Sequence, residues 1–109
     1  MTSDARTINI AMEFSSTPGA RYRSDGPYSG EEFREAILET ALQESGPDAC
    51  VEIVLDGTEG YATSFLEEAF GGLARKLGCD VCLQRLRFRS EEDPLLVEEI
   101  QRYIRGADE

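Results

Sequence analysis

Residues 50–78 read C-V-E-I-V-L-D-G-T-E-G-Y-A-T-S-F-L-E-E-A-F-G-G-L-A-R-K-L-G, and their order decides the fold class. Val51, Ile53, Val54 and Leu55 form a short β-rich run that Asp56-Gly57 ends. A run this continuous predicts a strand covered on both faces. Ser64-Phe65-Leu66-Glu67 has the form of a capping box and opens a helix. Its apolar stripe is Phe65, Leu66, Ala69, Phe70, Leu73 and Leu77, and Gly78 closes it. Gly71-Gly72 inside that helix costs about 2 kcal/mol of propensity relative to two alanines, so close packing of the helix on a strand is expected there. A strand, a loop and a helix with hydroxyls at its mouth is where α/β folds place their binding sites.

Upstream, residues 7–14 alternate Ile8, Ile10, Met12 and Phe14 with Thr7, Asn9, Ala11 and Glu13, the period of a half-buried strand. A turn at 15–19 leads to a short basic segment, 20–23, that reads as a second strand antiparallel to the first. Ser29-Gly30-Glu31-Glu32 starts a helix that runs to about Glu44 with Phe33, Ile37, Leu38, Ala41 and Leu42 on its apolar face. Downstream, residues 79–89 read as a strand whose inward face changes across Gln84-Arg85, as a bulge or the end of double-sided burial would cause. Ser90-Glu91-Glu92-Asp93-Pro94 then leads into a last helix. The order β-β-α-β-α-β-α predicts one α/β domain over 1–109, a mixed four-stranded sheet with helices packed on it, and loose tails at 1–6 and 106–109.

With 22 acidic and 11 basic residues the net charge is −11. Such a surface repels phosphate backbones and anionic lipids and suits a basic protein partner, so neither nucleic acid nor membrane is the expected target. No apolar run approaches the ~20 residues of a membrane span, and the N-terminus lacks the form of a signal peptide, so a cytoplasmic location is expected.

Histidine is absent, which removes Ser-His-Asp and Cys-His catalysis. There is no phosphate-binding glycine loop and no zinc-protease motif, so neither enzymatic activity nor a cofactor is expected. Cys79-Asp80-Val81-Cys82 is formally a C-x-x-C, but no second pair or histidine completes a zinc site. Leading into a strand, these thiols read as small buried hydrophobes and not as a redox or catalytic pair.

Thr63 and Ser64 carry two open readings, a helix cap or a phosphorylation acceptor. Arg85, Arg87 and Arg89, with Arg21 and Arg23, read either as partners of nearby glutamates or as a dock for an acidic segment.

Three blocks carry a family resemblance: Pro18-Gly19-Ala20-Arg21, Ser29-Gly30-Glu31-Glu32-Phe33, and S-F-L-E-E-A-F-G-G-L at 64–73. With the run 51–77 they resemble STAS domains, the anti-sigma-factor-antagonist fold. The chain is identified as similar to the STAS-like family DUF4325 in particular. The resemblance implies a bacterial, non-enzymatic regulatory module that binds a histidine-kinase-like ATPase or other signalling protein. It puts Ser64 at the position of the switch serine with Thr63 before it. Ala62 and Phe65 stand where phosphorylated relatives carry Asp and Gly. The implied partner-binding residues are Asp56, Gly57, Glu59, Tyr61, Thr63 and Ser64, with Arg85 and Arg87 on the last strand. An alternative is a small-ligand or anion-sensing α/β domain, since helix mouths bind anions.

Overall fold

The computed structural model describes residues 4–107. β1 (Asp4–Asn9) runs into a helical turn, α1 (Ile10–Glu13). The long helix α2 covers 30–44, β2 is Cys50–Val54, and α3 covers 63–77. Then come α4 (Cys79–Arg85), β3 (Leu86–Arg89) and α5 (Leu95–Gly106). The three strands lie in the order β1-β2-β3, and both pairings are parallel. Parallel neighbours need crossovers, which α2 and the α3–α4 pair supply. Among the described residues the sheet is therefore three-stranded and parallel, not mixed and four-stranded.

Register assigns the two faces of the sheet. Ile8, Ile53 and Phe88 stand in one row, and Thr7, Glu52 and Arg87 in the next. The first row points into the core, where Ile8 and Ile53 are fully buried and Phe88 meets Phe70 edge-on at 5.4 Å. In the second row Thr7 and Arg87 are exposed and Glu52 is half-buried, with the Thr7 hydroxyl donating to Glu52 at 3.3 Å. The expectation of burial on both faces is thus overturned: Cys50, Glu52 and Val54 alternate half-exposed with buried Val51 and Ile53. Helices fill one side only, with Phe33, Phe65, Phe70, Leu38 and Ile100 fully buried. Each such side chain contributes about 1.5–3 kcal/mol on leaving water.

Three strand assignments change, each for a local reason. The first strand ends at Asn9 and not at Phe14. The Asn9 side chain accepts the Met12 N–H at 3.1 Å, and Glu13 accepts the Asn9 N–H at 2.9 Å, which closes a turn. Met12 consequently points outward, 84% exposed. Segment 20–23 is not a strand. Its Ala20 and Arg21 carbonyls accept the Gly30 and Glu31 N–H groups at 2.9 and 3.0 Å, donors that a helix start leaves without intrahelical partners. Residues 79–85 are helical, so the change of inward face at Gln84-Arg85 is a helix giving way to a strand and not a bulge. Cys79 and Cys82 lie buried in the first turn of α4. Of the expected tails, residues 4–6 belong to β1 and Gly106 to α5, and the rest of 1–3 and 108–109 lies outside the described residues.

The α2–α3 contact explains the glycines. A Cβ at Gly30 would sit 2.5 Å from the Phe65 carbonyl oxygen, so the two backbones can approach only because Gly30 has none. A Cβ at Gly72 would overlap the Arg34 guanidinium, and one at Gly71 would meet the Glu67 carboxylate at 2.6 Å. The paired glycines therefore make room for an ion-pair network between helices, and not for a strand as expected. Both helices widen into a π turn at this level, Arg34–Leu38 in α2 and Glu67–Gly71 in α3. Leu77, assigned to the buried stripe, is 40% exposed.

Candidate functional site

Parallel strands end together, and their C-terminal loops gather on one rim. Asp56 follows β2, and its carboxylate accepts the Glu91 and Glu92 N–H groups at 3.0 and 2.9 Å. These bonds, Glu92 first, hold the Asp56 carboxyl below the usual range. Glu92 answers by accepting the Gly57 N–H at 2.9 Å. Gly57 sits at φ +93°, a left-handed conformation that favours glycine. The loops after β2 and β3 are thereby latched to each other.

Tyr61 anchors the far end of the β2–α3 loop. Its hydroxyl donates to the Leu55 carbonyl at 2.7 Å, and its ring lies 5.8 Å from that of Phe65. Burial pushes the phenol up to about 12. Glu59 donates its backbone N–H to Ser16 at 2.8 Å while remaining exposed. Between the two latched loops and α5 lies a cleft of about 460 Å³, whose polar lining is dominated by Asp56, Glu59, Glu92, Asp93 and Glu99. Glu92 and Asp93 come from the stretch 90–94, which the sequence marks as the lead-in to the last helix, and Glu99 comes from that helix. The run Glu91-Glu92-Asp93 was the available signal.

The hydroxyl pair sits beside this loop. α3 begins at Thr63, and its cap position is Ala62, which offers no side-chain bond. Ser64 is therefore inside the first turn and is not the helix cap. Thr63 is exposed and Ser64 half-buried.

The two arginines assigned to binding lie elsewhere. Arg85 is in α4, not on a strand, and donates to the Leu42, Gly46 and Ala49 carbonyls at 2.8–3.0 Å. It ties the end of α2 to the start of β2, away from the rim. Arg87 lies in the exposed row of the sheet beside Glu52. Arg21 pairs with Glu67 at 2.5 Å and Arg23 with Glu35 at 3.2 Å, so these two neutralise helix glutamates. The rim thus unites Asp56, Gly57, Glu59, Tyr61, Thr63 and Ser64 and excludes Arg85 and Arg87. Among the described residues no group of three or more acidic or thiol side chains has the geometry to hold a metal, and no helix is long and apolar enough to cross a membrane.

A family model described as a STAS-like domain of unknown function, DUF4325, matches residues 29–96. No curated protein and no solved structure matches the chain. The match includes the S-G-E-E-F and S-F-L-E-E-A-F-G-G-L blocks and starts after the Pro18-Gly19-Ala20-Arg21 turn. The chain belongs to this STAS-like family.

Proposed function

We propose, from membership of this STAS-like family, that the chain is a non-enzymatic regulatory module. In this reading it binds a histidine-kinase-like ATPase or other signalling protein through loop 57–63 and the first turn of α3. The supporting observation is the state of that loop. Asp56 and Tyr61 fix its two ends, while Gly57, Glu59, Gly60, Ala62 and Thr63 remain exposed. An ordered, exposed loop costs little conformational entropy to bind. Phosphorylation of Ser64 would add about −1.5 to −2 charge beside the positive end of the helix, altering that surface.

Affinity capture on the tagged chain from its native host tests the reading. An ATPase or signalling protein should be recovered, and Ser64→Glu should change its yield. If neither happens, the reading fails. Ligand sensing is the alternative, supported by the cleft of about 460 Å³. Its carboxylates favour a cation over the anion expected from a helix mouth. A thermal-shift screen of cationic and anionic metabolites that leaves the melting temperature unmoved counts against it.

A further inference from the structure

We propose that the rim cleft receives a basic amphipathic segment of the partner protein, with cationic side chains in the cleft and apolar ones against Met12 and Leu95. The proposal rests on the regulatory-module reading and specifies the chemistry of its partner.

Charge carries the first half. Several acids on the helices are ion-paired: Glu67 with Arg21 and Arg75, Glu39 with Arg34 and Lys76, Glu13 with Arg6. Those at the rim are not. None of Asp56, Glu59, Glu92, Asp93 and Glu99 makes an ion pair with a described residue. Asp56, Glu92 and Asp93 are held instead by backbone N–H groups, and Glu99 by the Tyr103 hydroxyl. Those bonds orient the carboxylates without cancelling their charge. A cleft walled by protein focuses that field outward onto an incoming cation.

Exposed apolar surface carries the second half. Met12 at 84% and Leu95 at 69% are the most exposed large apolar side chains among the described residues. Both lie on elements of this rim. A Cβ at Gly57 would touch Ala11, the neighbour of Met12, at 3.1 Å. Leu95 bonds through its N–H to Asp93 and precedes Leu96, which lines the cleft. Acidic walls with apolar flanks complement a segment that is both basic and apolar, the pattern by which amphipathic helices dock in grooves. A purely electrostatic ligand would leave Met12 and Leu95 in water.

The test titrates the isotope-labelled full chain with a synthetic Lys/Leu amphipathic peptide, followed by NMR and by fluorescence anisotropy. Controls are a Lys/Ser peptide of equal charge, a Glu/Leu peptide, and spermine. Shifts are expected at Met12, residues 57–61, residues 90–96 and Glu99. Glu59→Gln with Glu99→Gln, and separately Met12→Ser with Leu95→Ser, should each weaken the Lys/Leu peptide about tenfold, the scale of losing a few well-placed contacts. Three results would overturn the proposal: shifts centred on the acids of α2, equal binding of the Lys/Ser peptide, or displacement of the peptide by stoichiometric spermine, which would mark a small-cation site. Applied to a captured partner, the same variants separate the two claims. A partner released by Ser64→Glu but indifferent to both double variants leaves the module reading standing and removes this one.

Discussion

Arg34 of α2 is held by Glu68 of α3 twice, donating to its carboxylate and, at 3.0 Å, to its backbone carbonyl. The Arg34 side chain is 12% exposed and that of Glu68 10%, and Glu39 adds a second carboxylate at 3.1 Å. Gly72 leaves space for the guanidinium, and Arg21 and Arg75, both paired with Glu67, join the network through Glu68 at 3.6 and 3.8 Å. The motif that marks the family, S-F-L-E-E-A-F-G-G-L, thus does double duty. Its first residues form the exposed helix start, and its E-E and G-G pairs build the joint between the two helices.

Removing Arg34 leaves the nearly buried Glu68 carboxylate with the longer contacts to Arg21 and Arg75, at 3.6 and 3.8 Å. Arg34→Met should cost about 3 kcal/mol, because breaking a desolvated pair costs more than the pair contributes. Replacing Arg34 by Met and Glu68 by Leu together should cost clearly less than the sum. Urea denaturation of the two single variants and the double variant measures the coupling.

Steric tests separate the glycines from ordinary helix propensity. Gly→Ala at an exposed helix position gains up to about 1 kcal/mol. Gly30→Ala should instead lose about 1–3 kcal/mol, since the new methyl meets the Phe65 carbonyl and the helices must part. Gly72→Ala should also destabilise in the native background, yet turn neutral or stabilising once Arg34 is shortened to Ala. Denaturation midpoints in the two backgrounds read this change of sign.

Ser29 and Ser64 look alike in sequence, each followed three residues later by glutamate. Only Ser29 caps, accepting the Glu32 N–H at 3.0 Å while fully buried. Ser29→Ala should lose about 1 kcal/mol of stability. Ser64→Ala should lose less than about 0.5 kcal/mol, as at an ordinary helix position. Equal losses in thermal melts would contradict the assignment of Ala62 as the α3 cap.

Arg85→Ala should destabilise by about 2 kcal/mol, since three carbonyls lose a charged donor. It should leave capture of any partner unchanged once the protein is folded. Circular dichroism melts and affinity capture performed on the same sample check both outcomes.

Two pH limits follow from the shifted groups. Glu67, beside Arg75 and Arg21, and Glu13, beside Arg6, titrate below the usual range, as does Asp56. A depressed folded pKa contributes stability above the unfolded value of about 4 and loses it as pH falls through the folded value. Urea midpoints should therefore hold from neutrality to about pH 5 and drop below pH 4, with a smaller drop in Glu67→Gln. At the other limit the Tyr61 phenol is raised to about 12. Its contribution is complete below the unfolded value of about 10 and disappears as pH climbs toward the folded one. Tyr61→Phe should remove the corresponding ultraviolet titration step and cost about 1 kcal/mol at neutral pH.

The sequence by itself determined the α/β class, the three long helices, the strand at β2 and the family. Each rests on periodic apolar residues or turn chemistry acting within a few positions. The stripe Phe33-Leu38-Ala41-Leu42 and the Ser29 cap survive in the structure because a helix is a local object. The loop and hydroxyl pair at 56–64 were likewise visible as a unit, since they sit in one continuous segment. Only the tertiary structure decided what depends on neighbours distant in the chain. Residues 20–23 are β-compatible, yet their carbonyls are claimed by the start of α2. Residues 79–85 carry a mixed pattern, and the sheet uses only Leu86–Arg89 beside β2. Arg85 looked like a strand cation until three carbonyls from 36 to 43 positions away claimed it. The acidic cleft joins two loops about 35 positions apart through Asp56, Gly57 and Glu92. No periodicity in one segment encodes which other segment will supply its hydrogen-bond partners.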